Sequence, residues 1–249
     1  RLITSTKSFP AVNENGLTFW IVINSDSGLI SCWIKLSIVY PYEYILELQK
    51  SLAKKHNVSP ESIVITGGSN EALRVTGLAI ADGGGDIVAG QPTYLALMSY
   101  AESWGGKIKW VPVDSNKGYD LGKIEESIDK QTKMVFIANP NNPTGTLLSQ
   151  KDLEGFIGAL PDTCICVLDE AYFEFVNSIE SVNSIDWLKK FPNLLITRTF
   201  SKAYGLAGLR VGYGLSSLQF ADILNRVRQP FNNNTLALVA AEAALADDD

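Results

Sequence analysis

A chain of 249 residues, 46% hydrophobic and 19% charged, can bury a sizeable core and lies outside the disordered class. Its 21 basic and 27 acidic side chains leave a net charge of −6 with no strongly basic run, which argues against nucleic acid as a partner, because phosphate binding rests on displaced counterions. Three cysteines make no disulfide framework, one histidine argues against a metal centre or a His-based triad, and no apolar stretch is long enough to span a membrane.

Residues 1–39 mix apolar patches with Asn, Ser, Asp and Gly and carry no clean period of two or of 3.6. Within them, 17–23 (LTFWIVI) has the look of a short secretory core, but no small-residue cleavage site follows, so the expected location is cytoplasmic. From residue 41 the pattern changes. A helix is expected over about 43–56, from Ile45, Leu46, Leu48 and Leu52, with His56 as a solvated residue at its end. Strand 62–66, a Gly-Gly turn and a helix from Ser69 to about Ala81 follow, then strand 86–89, helix 94–104, strand 107–113 and helix 120–129. Strand 134–138, helix 149–159, strands 164–168 and 194–199, and a helix over about 235–246 complete the series. Cys164 and Cys166 read as small buried residues on one face of a strand. The alternation implies a largely parallel sheet with helices on both faces, where ligands gather at the carboxyl ends of the strands.

Five segments sit just after probable strands. In Gly67-Gly68-Ser69-Asn70-Glu71 the glycines allow a tight turn and the helix start can hold an anion, although Ser69 or Asn70 also makes a good cap. Tyr94, in Gln91-Pro92-Thr93-Tyr94, could lay its ring on a flat heteroaromatic group, or simply pack. Asn139-Pro140-Asn141-Asn142-Pro143-Thr144-Gly145 is a rigid turn that would present the Asn142 amide from a stiff backbone. Asp169 ends the apolar strand CICVL, where an unpaired carboxylate is costly, with Tyr172 three residues on; the competing reading is a helix-capping aspartate. Lys202, in Thr199-Phe200-Ser201-Lys202-Ala203-Tyr204-Gly205, follows a buried strand, and burial would make it a competent amine for a carbonyl. Thr199, Ser201 and Arg210 could then hold a phosphate.

Together these residues define a ligand. It has a phosphate for Ser69, Asn70, Thr199, Ser201 and Arg210, and an aldehyde for Lys202. It has a ring nitrogen for Asp169, a phenolic oxygen for Asn142 and Tyr172, and a flat face for Tyr94. Pyridoxal 5'-phosphate fits each requirement, and the carboxylate would keep its ring protonated as an electron sink.

NPNNPTG, LDEAY and TFSKAYGLAGLRVGY, in that order, resemble the aspartate-aminotransferase-like (fold type I) enzymes, most closely the histidinol-phosphate aminotransferases. The resemblance implies a three-layer α/β/α large domain with a mostly parallel mixed sheet over residues 40–249. It leaves residues 1–39 as an atypical arm and the family's C-terminal small domain absent. It implies Lys202 as Schiff-base lysine and proton shuttle, with Asp169 and Tyr172 as its catalytic companions. Tyr40 resembles the tyrosine that reaches the phosphate of a neighbouring subunit, which implies a homodimer with a shared site. The implied reaction transfers an amino group between L-histidinol phosphate, as the small-molecule donor, and the 2-oxo acid 2-oxoglutarate, in histidine biosynthesis. The alternatives are an aromatic or other amino-acid aminotransferase, a threonine-phosphate decarboxylase of the same fold, or an incomplete cofactor-binding fragment.

Overall fold

The apolar runs become strands without polar alternation, so each face of the sheet needs a cover of helices. The computed structural model describes residues 7–12, 18–23, 30–33, 40–81, 84–176 and 183–247. Strands β1 (Lys7–Val12), β2 (Thr18–Ile23) and β3 (Ile30–Trp33) pair antiparallel in that order. Their β-branched and aromatic residues favour strand although no period marks them in the sequence. Then follow α1 (Tyr42–His56), β4 (Ile63–Thr66), α2 (Ser69–Ala81), β5 (Asp86–Gln91), α3 (Ala96–Ser103), β6 (Lys107–Pro112) and α4 (Leu121–Glu126). The series closes with β7 (Thr132–Ala138), α5 (Gln150–Ala159), β8 (Ile165–Asp169), β9 (Leu194–Thr199), β10 (Gly212–Ser216), α6 (Leu218–Val227) and α7 (Thr235–Leu245).

The main sheet has the order β4-β10-β9-β8-β7-β5-β6. Pairs among β6, β5, β7, β8 and β9 are parallel; β10 runs antiparallel to both β4 and β9. This is the expected three-layer α/β/α fold with a mostly parallel mixed sheet. Alternate strand residues serve two separate cores. Cys166, Leu168 and Ile196 pack with α1, α5 and α7, through residues such as Leu48, Phe156 and Leu238. Val167, Leu195 and Phe136 pack with α2, α3 and α6, through Leu73, Leu97 and Phe220. Both Cys164 and Cys166 are fully buried in the first core, as their spacing predicts.

The structure departs from the expected series in three respects. The helix expected over 120–129 stops at Glu126, because Asp129 turns the chain by accepting from the Gln131 N–H at 2.9 Å. Two elements are missing from the expected series: β10, whose Gly212 and Gly214 give no alternation, and α6, which buries Phe220, Ala221 and Leu224 at helical spacing and which Ser217 caps by accepting from Phe220 N. His56 is not solvated: half-buried, its Nε2 lies 3.0 Å from the Tyr213 hydroxyl, since the last turn of α1 packs against β10. No helix among the described residues is long and apolar enough to cross a membrane.

One buried ion pair ties the strands that end at the site. Arg198, in β9, donates through Nε to Glu170 Oε2 at 2.9 Å, with a second contact at 2.8 Å, and both side chains are almost fully enclosed. Ser184 donates to the other Glu170 oxygen at 2.5 Å, and the Phe173 ring centroid lies 3.8 Å from the guanidinium carbon. Removing one partner of such a pair strands the other charge in a dry interior. Arg198→Met is expected to lower stability by about 3–5 kcal/mol. Urea denaturation at neutral pH checks this as a lower midpoint at constant slope, and an unchanged midpoint would refute it.

Candidate active site

The turns that leave the carboxyl ends of β4, β7, β8 and β9 converge on one pocket of about 230 Å³. Ser69, Asn70, Tyr94, Asn142, Asp169, Tyr172, Thr199, Ser201, Lys202 and Arg210 all line it. These are all the residues that the sequence places in this pocket; Tyr40, expected at the site of a neighbouring copy, lies outside it. That side chain is 70% exposed, and its ring stacks on Phe231 with centroids 4.3 Å apart.

Gly68 turns the chain from β4 into α2 with φ 84°, and Ser69, which lines the pocket, opens the helix. A Cβ on Gly68 would lie 2.4 Å from Arg210 Nη2, and one on Gly212 would lie 2.7 Å from Ser69 N. Arg210 itself has a left-handed backbone, φ 59°. Its Nη1 donates to Ser201 Oγ at 3.0 Å and to the Ala207 carbonyl at 2.9 Å, while Nη2 reaches the Gly67 carbonyl at 3.3 Å. A cation, a helix start and two hydroxyls (Thr199 and Ser201) meet here, which is the chemistry of an anion site.

Asp169, in the same pocket, is 4% exposed. Thr197 donates to its Oδ1 at 2.7 Å, and among the described residues no cation is in salt-bridge contact with it. It caps no helix: the next helical turn is Phe173–Phe175, with Tyr172 at its N-cap. Burial is the largest influence and pushes its carboxyl up to about 6, against hydrogen bonds from Thr197 and the Ala171 N–H. Lys202 lines the same pocket, its Nζ 4.9 Å from the Tyr172 ring centroid. The burial expected of Lys202 is not found: it lines the pocket but is exposed, because it sits on the turn beyond β9 and not in the strand.

The asparagines of the NPNNPTG turn divide their work. Asn139 Oδ1 accepts from Leu148 N at 2.8 Å, and Asn141 is locked by Tyr119, Thr93, the Pro92 carbonyl and Thr144. Only Asn142 is left to face the pocket, as the sequence suggests. Tyr94 lies just before α3, and its hydroxyl donates to Asn70 Oδ1 at 2.6 Å, which fixes the ring at the pocket wall. Sequence reasoning missed the supporting polar groups, Tyr119 and Thr93 under the turn and Glu170–Arg198 beneath Asp169, because their partners are 22 to 48 residues apart in the chain.

The donor set fits pyridoxal phosphate: one pocket is lined by an anion site, an amine and a desolvated carboxylate. Among the described residues no cluster of His, Cys, Asp and Glu could hold a metal.

Residues 35–249 match the family model described as aminotransferase class I and II. The chain is 45% identical over 214 residues to histidinol-phosphate aminotransferase 2 of Methylococcus capsulatus, covering 84% of this chain and 58% of that protein. It is 44% identical to the Haemophilus influenzae protein of the same name, of which it covers 57%. Among solved structures it resembles the histidinol-phosphate aminotransferase of Sinorhizobium meliloti in complex with pyridoxal-5'-phosphate, with a TM-score of 0.80 at 32% identity, covering 85% of this chain and 57% of that one. It also resembles the L-threonine-O-3-phosphate decarboxylase of Porphyromonas gingivalis, with a TM-score of 0.74 at 26% identity, covering 84% and 61%. The chain thus spans 57% to 58% of the length of these two curated relatives.

Asp169 makes the pH dependence of the cofactor-free chain predictable. Its folded value, about 6, lies above the ordinary 3.8, so between the two the native state holds a proton that the unfolded state has lost. Its contribution to stability therefore falls as pH rises through that window and stays low above it. His56 acts in the opposite sense, because burial takes its imidazole from 6.5 down to about 3 and stability drops as pH falls between them. Comparing Asp169→Asn with the native chain at each pH cancels His56. The stability of the variant relative to native should rise by on the order of 2 kcal/mol from about pH 4 to about pH 7.5. Denaturation curves giving a flat difference would count against a desolvated Asp169.

Proposed function

The chain belongs to the class I and II aminotransferases, and we propose that it works with pyridoxal phosphate to transfer the amino group of L-histidinol phosphate to 2-oxoglutarate. One observation carries the cofactor part: the same pocket holds an anion site at Arg210, the Lys202 amine and the desolvated Asp169 carboxylate. The names of the relatives at 44% and 45% identity support the substrate. Residues 40–249 are the cofactor-binding large domain in this reading, and Tyr40, exposed and outside its own pocket, reaches the phosphate end of a second copy in a homodimer.

When bound, pyridoxal phosphate supplies an aldehyde that captures amines and a protonated ring that draws electrons from the substrate carbon. The residues of the chain do the rest. Arg210, Ser201, Thr199 and the start of α2 would hold the phosphate, and Tyr94 would face the ring. Asp169 would keep a proton on the ring nitrogen, and that positive charge would in turn stabilise the buried carboxylate. Asn142 and Tyr172 would hydrogen-bond the phenolic oxygen. Lys202 would hold the cofactor through its amine and, once free, would serve as the base that moves a proton from the substrate carbon. Its exposed position on a turn gives it room to swing between these tasks.

The likeness to the L-threonine-O-3-phosphate decarboxylase favours a second reading, loss of carbon dioxide from a phosphorylated amino acid at the same site. Mixing the chain with pyridoxal phosphate should give a visible absorption band and, after borohydride reduction, an adduct that mass spectrometry places on Lys202. Lys202→Ala should give neither. Adding L-histidinol phosphate should abolish the band. Release of carbon dioxide from threonine phosphate with the band retained would favour the decarboxylase, because decarboxylation leaves the cofactor an aldehyde, and a band undiminished in Lys202→Ala would refute the cofactor assignment.

A further inference from the structure

Two separate loops must keep a fixed spacing to form the anion site: 66–70, after β4, and 199–210, after β9. Behind them, outside the pocket lining, runs Asn232-Asn233-Asn234. The Asn233 amide nitrogen donates to the Thr66 carbonyl at 3.0 Å and to the Arg210 carbonyl at 3.3 Å. One amide thus bridges the backbones of both loops. On one side, Asn232 donates to the Ile65 carbonyl at 3.1 Å and to Glu71 Oε2 at 2.7 Å, and that oxygen also accepts from Gly67 N at 2.5 Å. On the other, Asn234 donates to the Leu209 carbonyl at 3.2 Å while its oxygen caps α7 at Ala237 N.

Asn233 is 3% exposed, and its Oδ1 has no hydrogen-bond partner among the described residues. A buried carbonyl oxygen without a partner is unfavourable, so the contacts that offset it are the two N–H bonds. Those bonds fall on Thr66, one residue before the Gly67-Gly68 turn, and on Arg210, whose backbone is held in the left-handed region. We infer that Asn233 is a positioning residue for phosphate: its amide clasps the two loops so that the Arg210 guanidinium and the Ser69 helix start converge on one anion. This rests on the proposed cofactor reading and extends it to a residue that touches neither ligand nor pocket.

The test compares pyridoxal phosphate with pyridoxal, which lacks only the phosphate, by equilibrium titration of the absorption band. Asn233→Ala should raise Kd for pyridoxal phosphate by about ten-fold and leave pyridoxal unchanged, the loss expected for two hydrogen bonds. The control is Asn193→Ala: Asn193 likewise donates to two carbonyls, Cys164 at 2.7 Å and Pro161 at 3.3 Å, but does not line the pocket. It should leave both affinities as they are. If Asn233→Ala does not fold, Asn233→Ser, which keeps one donor, should show a smaller loss confined to pyridoxal phosphate. Equal losses for both ligands, or none, overturn the inference. If the native chain binds neither ligand, the cofactor reading fails. Calorimetric titration with inorganic phosphate then decides: weaker phosphate binding in Asn233→Ala supports the clasp, and equal or absent binding in both proteins overturns it.

Discussion

Asp169 is a carboxylate at the end of β8, which lies between β7 and β9 in the sheet, and its environment sets the terms for everything around it. Taking a carboxylate out of water is tolerable only with donors or a cation nearby. Thr197 and the Ala171 N–H supply donors, yet burial outweighs them and raises the carboxyl to about 6. A site built this way favours a partner that carries a proton or a positive charge. Such a partner restores the ionised state, so binding of a protonatable ring and ionisation of Asp169 reinforce each other.

The same two strands solve a second electrostatic problem on their other face. Thr197 and Thr199 of β9 share a face with Asp169, Thr197 by a hydrogen bond to it and Thr199 by lining the pocket, while Arg198 points to the opposite face, where it meets Glu170. Alternation along a strand puts ligand chemistry on one face and a compensated ion pair on the other. The Glu170 N–H also donates to the Thr197 carbonyl at 2.9 Å, so the backbone that carries Asp169 is held from both sides. Arg210 and Asp169, of opposite charge, line one pocket with the Lys202 amine. Such a lining suits a ligand that carries both an anionic and a cationic group.

Much of this was legible in the sequence because polar residues directly after apolar strands have few structural reasons to be there. Ser69, Asn142, Asp169 and Lys202 each follow such a strand, and each lines the pocket. What the sequence hid was partnership. Nothing local says that Arg198 meets Glu170, that His56 meets Tyr213 from 157 residues away, or that Asn233 reaches back to Thr66. Nor does residue type settle a role. Asn139, Asn141 and Asn142 share one turn, but only the last is left to face a ligand, because the other two are consumed by backbone and side-chain donors and acceptors around them. Lys202 departs from its expected burial for a related reason: it follows a buried strand but sits on an exposed turn.

The antiparallel strand β10 explains why a mostly parallel sheet carries this site. Ligands gather where parallel strands end. A further parallel strand would begin at the far edge and bring its first residues away from the pocket. β10 runs the other way, so it starts where β4 and β9 stop, and Gly212 pairs with both Thr66 and Thr199. Arg210, two residues earlier, therefore arrives at the carboxyl edge between the two loops that need a cation. The approach is close enough that Gly212 can carry no Cβ, with Ser69 N and Arg198 O at 2.7 and 2.8 Å from where one would sit. Strand direction, glycine and arginine are one device: the reversal delivers the charge, and the missing side chain lets the helix start come within reach of it.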